Sequence, residues 1–340
     1  MKVKIENVKS ETKKGVADAV TKAMTGWEAH VKGKNIFVKI NAMCDQIIPG
    51  MNTNPWVVEA VIRNLKKAGK NITIGDADVA TTKQYWRAAK KWGYTQIAKK
   101  YGARIINLSE EPEIKQKING KVFKELGIPK ALIEADNIIT LPIIKTHGIT
   151  KITGALKNQW GCVPRIRQQY HPVVNQAISD INKYLKVSYA VADATICQEG
   201  IGPRNGNPVI TNRIIASPDL VALDTVAATM IGYNPTEVKM LKIAEQDGVG
   251  SMKYTLTGKI PKLKFEKARQ HFIFKIEMKL RHTPILKTII FKTPLFKLFG
   301  AGTTFYNKVI WYYSKGIKHI DAIKGTGYYE LFKELSNSAR

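Results

Sequence analysis

Short apolar runs alternate with amphipathic stretches along the first 250 residues of the chain. The runs 36–41, 71–76, 103–108 and 137–141 hold five or six residues each and predict strands. Between them apolar positions recur every three or four residues, most clearly over 56–68, where Asn54 and Pro55 form a typical helix start. This alternation predicts an α/β fold, a mostly parallel sheet covered by helices on both faces.

The same pattern resumes after residue 170 and completes the predicted sheet. We expect further helices at 11–24, 82–101, 129–135, 172–185, 219–231 and 235–246, and further strands at 187–193 and 213–217. In open sheets of this kind, ligands bind beyond the carboxyl ends of the strands. Those ends fall at Asn41, Asp76, Ser109 and the segment 142–147, so we expect a binding site there.

The residues after 251 differ in composition from those before them. The last 90 residues carry 18 Lys and Arg against 5 Asp and Glu, and they are rich in aromatic residues. We therefore divide the chain into an α/β domain at 1–251 and a basic, aromatic C-terminal appendage at 252–340. The whole chain of 340 residues has a net charge of +27, which predicts attraction to an anionic partner.

Within this appendage, the segment 284–313 mixes lysines with large apolar residues. Such a mixture suits a peripheral contact with an anionic membrane, with lysines toward the head groups and aromatic rings at the boundary. It would also suit nucleic acid, which is less favoured because no nucleic-acid-binding motif is recognisable. The third interpretation is a tail that packs on the main domain and keeps its lysines solvated.

The cysteines limit the cofactors that one chain can hold alone. Cys44, Cys162 and Cys197 are widely spaced without a C-x-x-C motif, which excludes a disulfide scaffold and a four-cysteine zinc or iron–sulfur site. We predict no metal site, because the acidic residues near the strand ends show no diagnostic ligand spacing. The sequence shows no secretory leader and no spanning segment, so we expect a cytoplasmic protein, with the inner membrane face as a peripheral location.

The stretch with the most chemical character is 141–171. No acidic residue occurs over 137–179, whereas five Lys and Arg and two His lie in the same 43 positions. Threonine hydroxyls, and glycines that let the backbone approach a ligand, are interspersed with these cations. Cations, hydroxyls and free backbone N–H groups are what an anionic oxygen group requires, so we predict an anion site. A solvated basic loop is the alternative.

Two further motifs follow in the chain. Residues 200–208 (GIGPRNGNP) predict a rigid, tight loop that either contacts the ligand or is a structural turn. In 216–224 (ASPDLVALD), Ser217 is the expected N-cap of the next helix, and the helix dipole explains Asp219 in the first turn. Asp224 lies among apolar residues and needs a partner if it is buried, for which we expect a loop lysine or arginine.

Four runs of this chain together resemble one known family. The runs are TNPWVVEAVIRNL (53–65), IIKTHGITKITGALKNQWGCVP (143–164), GIGPRNGNP (200–208) and IIASPDLVALDTVAATMIG (214–232). They closely resemble the family called domain of unknown function 362, over about residues 35–250. The resemblance implies proteins that are often fused to an iron–sulfur module of ferredoxin type. Since this chain lacks such a cysteine run, a cluster would have to come from a ferredoxin-type partner.

The resemblance also assigns candidate site residues by motif. The candidates for catalysis are His147 as a general acid or base, Lys157, and Asn158 as a donor to a carbonyl or phosphate oxygen. The candidates for ligand binding are Asn41, Asn54, Lys145, Thr146, Thr153, Gly154, Gly161, Gly202, Arg204 and Gly206. We expect orienting roles for Asp219 and Asp224, with Asp224 holding a cation of the loop.

Two classes of function remain open at this point. The first is an enzyme, an oxidoreductase or a group transferase, that binds an anionic small molecule, cofactor or lipid at 141–171. The alternative is a non-catalytic module that attaches to an anionic membrane or to nucleic acid through its basic C-terminal region. A remote comparison with lactate-racemase-like enzymes, in which Lys and His hold a nickel nucleotide, has no supporting motif here. The sequence identifies neither a substrate nor a cofactor.

Overall fold

The computed structural model describes residues 1–79, 83–163, 165–268, 301–302 and 304–338. Ten strands of this part form one mixed sheet, and two more form a separate hairpin, β5–β6. The strands are β1 (Lys2–Asn7), β2 (Asn35–Lys39), β3 (Asn71–Asp76), β4 (Arg104–Asn107), β5 (Glu113–Lys117), β6 (Glu125–Pro129), β7 (Asn137–Thr140), β8 (Ile143–His147), β9 (Lys151–Thr153), β10 (Tyr189–Ile201), β11 (Asn205–Ser217) and β12 (Thr255–Thr257).

The α-helices are short to medium in length. They are α1 (Lys13–Ala23), α2 (Pro55–Lys67), α3 (Tyr85–Lys91), α4 (Tyr94–Lys100), α5 (Lys130–Ile133), α6 (Ala155–Asn158), α7 (Val174–Leu185), α8 (Leu220–Met230), α9 (Lys239–Gln246), α10 (Tyr306–Gly316, wound as a π-helix), α11 (Lys318–Asp321) and α12 (Tyr329–Ser338). Short 3₁₀ segments are Trp27–Ala29, Gln159–Cys162, Arg165–Val173 and Pro235–Glu237.

Across the main sheet the strand order is β12-β1-β11-β10-β7-β2-β3-β4, and β8 and β9 extend from β10. The strands β10, β7, β2, β3 and β4 run parallel to their neighbours in that order. Side chains alternate between the two faces, so Ile36 and Val38 join one hydrophobic cluster and Phe37 joins the other. Helices α1 to α4 cover the first cluster and α6 to α9 cover the second. The predicted α/β sheet with helices on both faces is confirmed.

Most local predictions hold within a few residues, and three predicted elements differ from the structure in extent. The start of α2 is as predicted, because the Asn54 side chain accepts a hydrogen bond from the Trp56 N–H and Pro55 occupies the first turn. The predicted helix 82–101 is two helices, because Gly93 adopts a left-handed φ of 75° between them. The predicted strands 187–193 and 213–217 are the inner parts of β10 and β11, which each continue for 13 residues as a long hairpin.

The described part of the C-terminal region packs against this sheet. Strand β12 pairs with β1, and Tyr328 and Phe332 belong to the hydrophobic cluster under α1 to α4. The Phe332 ring meets the edge of Trp92 at a centroid distance of 5.8 Å. The division at residue 251 stays a prediction, and residues 284–300 of the predicted membrane-contact segment lie outside the described residues. Among the residues described, no helix is long and apolar enough to cross a membrane.

Candidate functional site

The segment 141–171 folds into regular structure and is not a solvated loop. Strand β8 pairs parallel to β10 and antiparallel to β9, and the helix α6 follows immediately. Its position past the end of β7 places it at the edge where parallel strands present their carboxyl ends. All five residues of β8 are buried, so its lysine and its histidine are held inside the protein.

Lys145 is fully buried and has only neutral partners in the described part of the chain. Its ammonium donates to the Met51 carbonyl oxygen at 2.6 Å and lies 3.4 Å from the Met43 sulfur. Thr153 on β9 and Gln198 on β10 are its cross-strand neighbours. Cross-strand neighbours project to the same face of a sheet, so the three side chains form one polar patch inside the fold.

Lys157, at the end of α6, is a second cation without an ion-pair partner in the described ranges. Burial and then the nearby charge of Arg167 lower the pKa of Lys157 from 10.5 to about 8. Burial and then the charge of Lys157 lower the pKa of Lys145 to about 7, to which Arg204 also contributes. Four cations, Lys145, Lys157, Arg167 and Arg204, therefore act on one another in and around a buried position, which is unfavourable unless an anion joins them.

Four polar atoms around these lysines are buried without a partner in the part that the structure describes. They are Asn41 Oδ1, Thr153 Oγ1, Gln198 Oε1 and Arg204 Nη2. The orientation of two amides is fixed, because Gln198 Nε2 donates to the Pro49 carbonyl and Asn41 Nδ2 donates to Asn158 Oδ1. Their free oxygens are therefore acceptors. Because buried polar groups nearly always have partners, these unsatisfied atoms make the surroundings of Lys145 a candidate site for a ligand.

His147 is a buried imidazole held by backbone hydrogen bonds. Its Nδ1 accepts hydrogen bonds from the N–H groups of Ile149 at 3.0 Å and Thr150 at 3.4 Å, which leaves the proton on Nε2. Burial and the charge of Lys157 lower the pKa of His147 well below its usual range. The imidazole is therefore neutral near pH 7 and presents an Nε2–H donor, and its role as a general acid or base stays a prediction.

Asn158, Asn54 and Thr146 are held by the protein itself. The Asn158 amide donates to the Lys39 carbonyl at 3.3 Å and to Thr140 Oγ1 at 2.8 Å, so it has no spare donor for a ligand. Asn54 caps α2 and donates to Thr195 Oγ1 at 3.2 Å. The Thr146 hydroxyl donates to the Gly200 carbonyl at 3.0 Å. These three residues position the strand ends around the lysines.

Asp224 binds backbone and not a loop cation, which corrects our expectation. Its carboxylate accepts hydrogen bonds from the N–H groups of Ala155 at 2.6 Å and Leu156 at 3.0 Å, at the start of α6. Burial raises the pKa of Asp224 to about 7. A Cβ on Gly154 would lie 2.1 Å from Asp224 Oδ1, so this glycine permits the contact. Asp224 thereby sets the position of α6 and hence of Lys157.

Asp219, and not Ser217 as expected, is the N-cap residue of α8. Asp219 is the N-cap of α8, because its side chain accepts from the Ala222 N–H at 2.9 Å, and it also accepts from the Ser251 N–H. Ser217 lies two residues earlier and accepts from the Asp219 N–H. The predicted helix start is thus shifted by two residues, and Asp219 is satisfied without a ligand.

The other motif glycines are explained by close backbone packing. A Cβ on Gly161 would lie 2.7 Å from Asp76 Oδ1, one on Gly202 would lie 1.9 Å from the Thr146 carbonyl oxygen, and one on Gly206 would lie 2.5 Å from the Glu199 carbonyl oxygen. In each case protein atoms already fill the space of a side chain. A ligand contact at these glycines stays a prediction.

The acidic residues at the strand ends have protein partners. Asp76 forms an ion pair with Lys39 at 2.6 Å, and Asp193 accepts from the backbone N–H groups of Asn54 and Thr195. Asp78 accepts from the Tyr85 N–H at 3.0 Å. Within the described ranges, no group of three or more His, Cys, Asp or Glu residues has a geometry that could hold a metal ion.

The three cysteines are buried free thiols. Burial raises the pKa of Cys162 and of Cys197 to about 12 and raises that of Cys44 as well. Nearby Lys39 and Arg167 act to lower the pKa of Cys162, and burial outweighs them. Cys197 lies within β10.

Sequence reasoning missed Gln198, whose free oxygen belongs to the polar patch. The predicted strand stopped at residue 193, and a polar side chain five residues later gave no sign of burial. The sequence signal for Gln198 is that it lies four residues before the 202–206 turn, and this spacing is too weak to predict that the side chain is buried in the site. Arg167 is a second addition, since it affects Lys157 and lines a cavity of about 390 Å³ with Val163, Tyr170 and the β5–β6 hairpin.

A family model described as a domain of unknown function, DUF362, matches residues 36–229 of this chain. A thylakoid-associated protein of Synechocystis sp. is 26% identical over 216 residues, which covers 60% of this chain. The match spans 65% of that relative's length, slightly less than two thirds.

Two solved structures are similar to this chain at low identity. The lactate racemase apoprotein from Thermoanaerobacterium thermosaccharolyticum is 15% identical with a TM-score of 0.41, covering 72% of this chain and 56% of that one. A protein from Thermotoga maritima is 14% identical with a TM-score of 0.34, covering 55% of this chain and 51% of the other. Neither likeness says anything of the ligand or the reaction of this chain.

Proposed function

We propose a function for this chain on the premise that it belongs to the family called domain of unknown function 362. In this proposal it is an enzyme, for redox or group-transfer chemistry, and its site binds an anionic small molecule or cofactor. The buried patch of Lys145, Thr153 and Gln198, together with Lys157 and Arg204, is that site; we call it the cation patch.

One observation carries this proposal. Lys145 is fully buried and Lys157 is partly buried, and within the described structure neither has a carboxylate partner within hydrogen-bond distance. An isolated buried charge is costly, and proteins usually pair it or neutralise it. A phosphate or carboxylate of a ligand would supply the missing negative charge and would return the pKa of both lysines toward higher values.

The unsatisfied acceptors narrow the chemical class of the ligand. Asn41 Oδ1 and Gln198 Oε1 accept hydrogen bonds and cannot face a bare anion. A ligand that satisfies the whole patch therefore carries hydroxyl or N–H donors beside its anionic group. Hydroxy acids, sugar phosphates and nucleotides share this combination. The Nε2–H of His147 adds a donor on the same strand face as Lys145.

The patch also offers a group for proton transfer. In the ligand-free protein the pKa of Lys145 is about 7, so its amine is present in both protonation states near neutral pH. When an anion binds and raises this pKa, the Lys145 ammonium can donate a proton to the ligand, while Lys157 and Arg204 hold the anionic oxygens. The neutral His147 positions the ligand and does not titrate in this range.

Ligand binding can be tested with simple probes. We expect glycerate or glycerol 3-phosphate to raise the thermal midpoint of the protein more than inorganic phosphate, and neutral glycerol to leave it unchanged. Lys157→Met should weaken that binding by about tenfold or more, since a charge-assisted hydrogen bond contributes about 1.5–3 kcal/mol. Mass spectrometry of protein purified without oxygen would identify any molecule that remains bound.

The matched control is Lys151→Met, on β9 of the same hairpin. Lys151 is partly exposed and pairs with Glu237 at 3.4 Å, so its loss should leave binding unchanged. Equal losses in both variants would mean that general positive charge attracts the anion. Stabilisation by none of the probes, with no molecule released on denaturation, would overturn the proposal.

A further inference from the structure

Helix α10 carries large apolar side chains that the other described residues leave exposed. Six of them, on and beside the helix, are between 37% and 67% exposed over positions 305–317. They are Phe305, Tyr306, Val309, Ile310, Tyr313 and Ile317. Single exposed apolar residues are ordinary on protein surfaces, but a contiguous row of six marks an interaction surface.

The orientation of this helix is fixed by contacts on its other side. Trp311 is buried in the hydrophobic cluster under α1 to α4 and contacts the ring of His319 at a centroid distance of 5.5 Å. Lys308 pairs with Asp45 at 3.0 Å, which ties the helix to the loop that follows β2. The apolar row therefore cannot turn inward without breaking a buried aromatic contact and an ion pair.

Exposed lysines follow the apolar row. Lys315 lies near the end of α10 and Lys318 begins α11, and Asp321 at the end of α11 is the first acidic residue after position 300. The last 90 residues carry 18 Lys and Arg against 5 Asp and Glu. A helix with an apolar face, interfacial aromatic residues and flanking lysines has the composition of an element that lies in the head-group region of an anionic membrane.

We propose that α10 docks this chain onto an anionic membrane surface, with its apolar row in the head-group region and Lys315 and Lys318 toward the lipid phosphates. Nucleic acid fits less well, since Val309, Ile310 and Ile317 can neither stack on bases nor bind phosphates. The proposal is independent of the cation patch, because no residue of the apolar row belongs to that patch. In this proposal the C-terminal region determines which surface the protein binds and takes no part in a reaction.

Vesicle sedimentation of the full chain tests this proposal. We expect binding to vesicles of equal parts phosphatidylcholine and phosphatidylglycerol, and little binding to phosphatidylcholine alone. The double substitution Ile310→Asn with Tyr313→Ser should reduce the bound fraction by roughly tenfold or more, because it removes two side chains from the apolar row. Lys315→Gln and Lys318→Gln should each reduce it about fivefold at low salt and have little effect at high salt.

Two controls separate this surface from general effects. Ile114→Asn removes an aliphatic side chain of similar exposure from the β5–β6 hairpin and should leave vesicle binding unchanged. Lys157→Met should bind vesicles as the natural protein does, whatever it does to small anions. Absence of vesicle binding, or binding that survives the double substitution, would overturn the proposal. So would a double substitution that instead dissociates an oligomer or releases nucleic acid.

Discussion

Two buried lysines of the same sheet differ in their partners: one ammonium pairs with a carboxylate and the other contacts only neutral groups among the described residues. Lys39 and Lys145 are 1% and 0% exposed, and each lies in a strand whose carboxyl end faces the site. Lys39 is 2.6 Å from Asp76 Oδ1, whereas Lys145 has a carbonyl oxygen and a thioether as partners. The charge of Lys39 is balanced within the protein and holds the fold. The charge of Lys145 is left unbalanced, which is expected of a group that awaits a ligand.

The largest effect should come from breaking the balanced pair. Asp76→Asn leaves the Lys39 ammonium buried without a counter-charge and weakens the hydrogen bonds that Asp76 accepts from the Ala42 and Ala77 N–H groups. Removing one partner of a buried pair costs about 3–5 kcal/mol of unfolding free energy. Urea denaturation measures this loss. The control is Asp18→Asn at an exposed position, with an expected change below about 0.5 kcal/mol. A similar loss of unfolding free energy in both variants would show that the pair of Lys39 and Asp76 does not stabilise the fold.

Lys145 and Lys157, which lack ion-pair partners in the described ranges, should make the free energy of unfolding depend on pH. Both have folded-state pKa values below the ordinary 10.5, at about 7 for Lys145 and about 8 for Lys157. From about pH 7 upward the unfolded chain therefore holds protons that the folded chain has lost, so the stability of the ligand-free protein rises with pH. For the two lysines together the rise between pH 7 and 9 is about 4 kcal/mol.

The measurement is urea denaturation at both pH values, on the natural chain and on the double variant Lys145→Met with Lys157→Met. The variant should lose this rise. Asp224 acts in the opposite direction at lower pH: its raised pKa of about 7 makes stability fall as the pH increases from about 4 to 7. It is present in both proteins and cancels in the comparison. Parallel pH curves would show that the two lysines carry no unbalanced charge.

The contrast between the two lysines also shows how far sequence reasoning reaches. The strands, the helix start at Asn54 and the two-faced sheet follow from local patterns, because the alternation of Ile36, Phe37 and Val38 already divides them between two cores. The importance of the 141–171 segment follows from its lack of acidic residues. Which lysine is paired does not follow, since Asp76 lies 37 positions from Lys39 in the chain and its choice of partner is set by strand order.

The same limit explains the errors within the site. Asp224 is an acidic residue, so the sequence predicts a cation as its partner. The packing of α8 on α6 places its carboxylate against two backbone N–H groups instead. The lowered pKa of His147 likewise depends on burial and on the neighbouring lysine, which the sequence does not show. Gln198 enters the cation patch through strand register alone. Each error concerns a long-range contact, which no local pattern encodes.

The smallest effect should be the stability change in Lys157→Met, and it is the closest test of the comparison. Lys157 has no ion pair in the described ranges, so replacing it leaves no buried carboxylate unsatisfied, unlike the Asp76 substitution. Methionine fills a similar volume without a charge, and exchanging an unpaired, partly buried charge for an apolar side chain should keep or raise stability at pH 7 by about 1 kcal/mol. Urea denaturation beside Lys151→Met measures it. Because the same variant should lose anion binding, higher stability with weaker binding would identify Lys157 as a residue kept for a ligand. A loss above about 2 kcal/mol would instead place it with Lys39 among the charges that hold the fold.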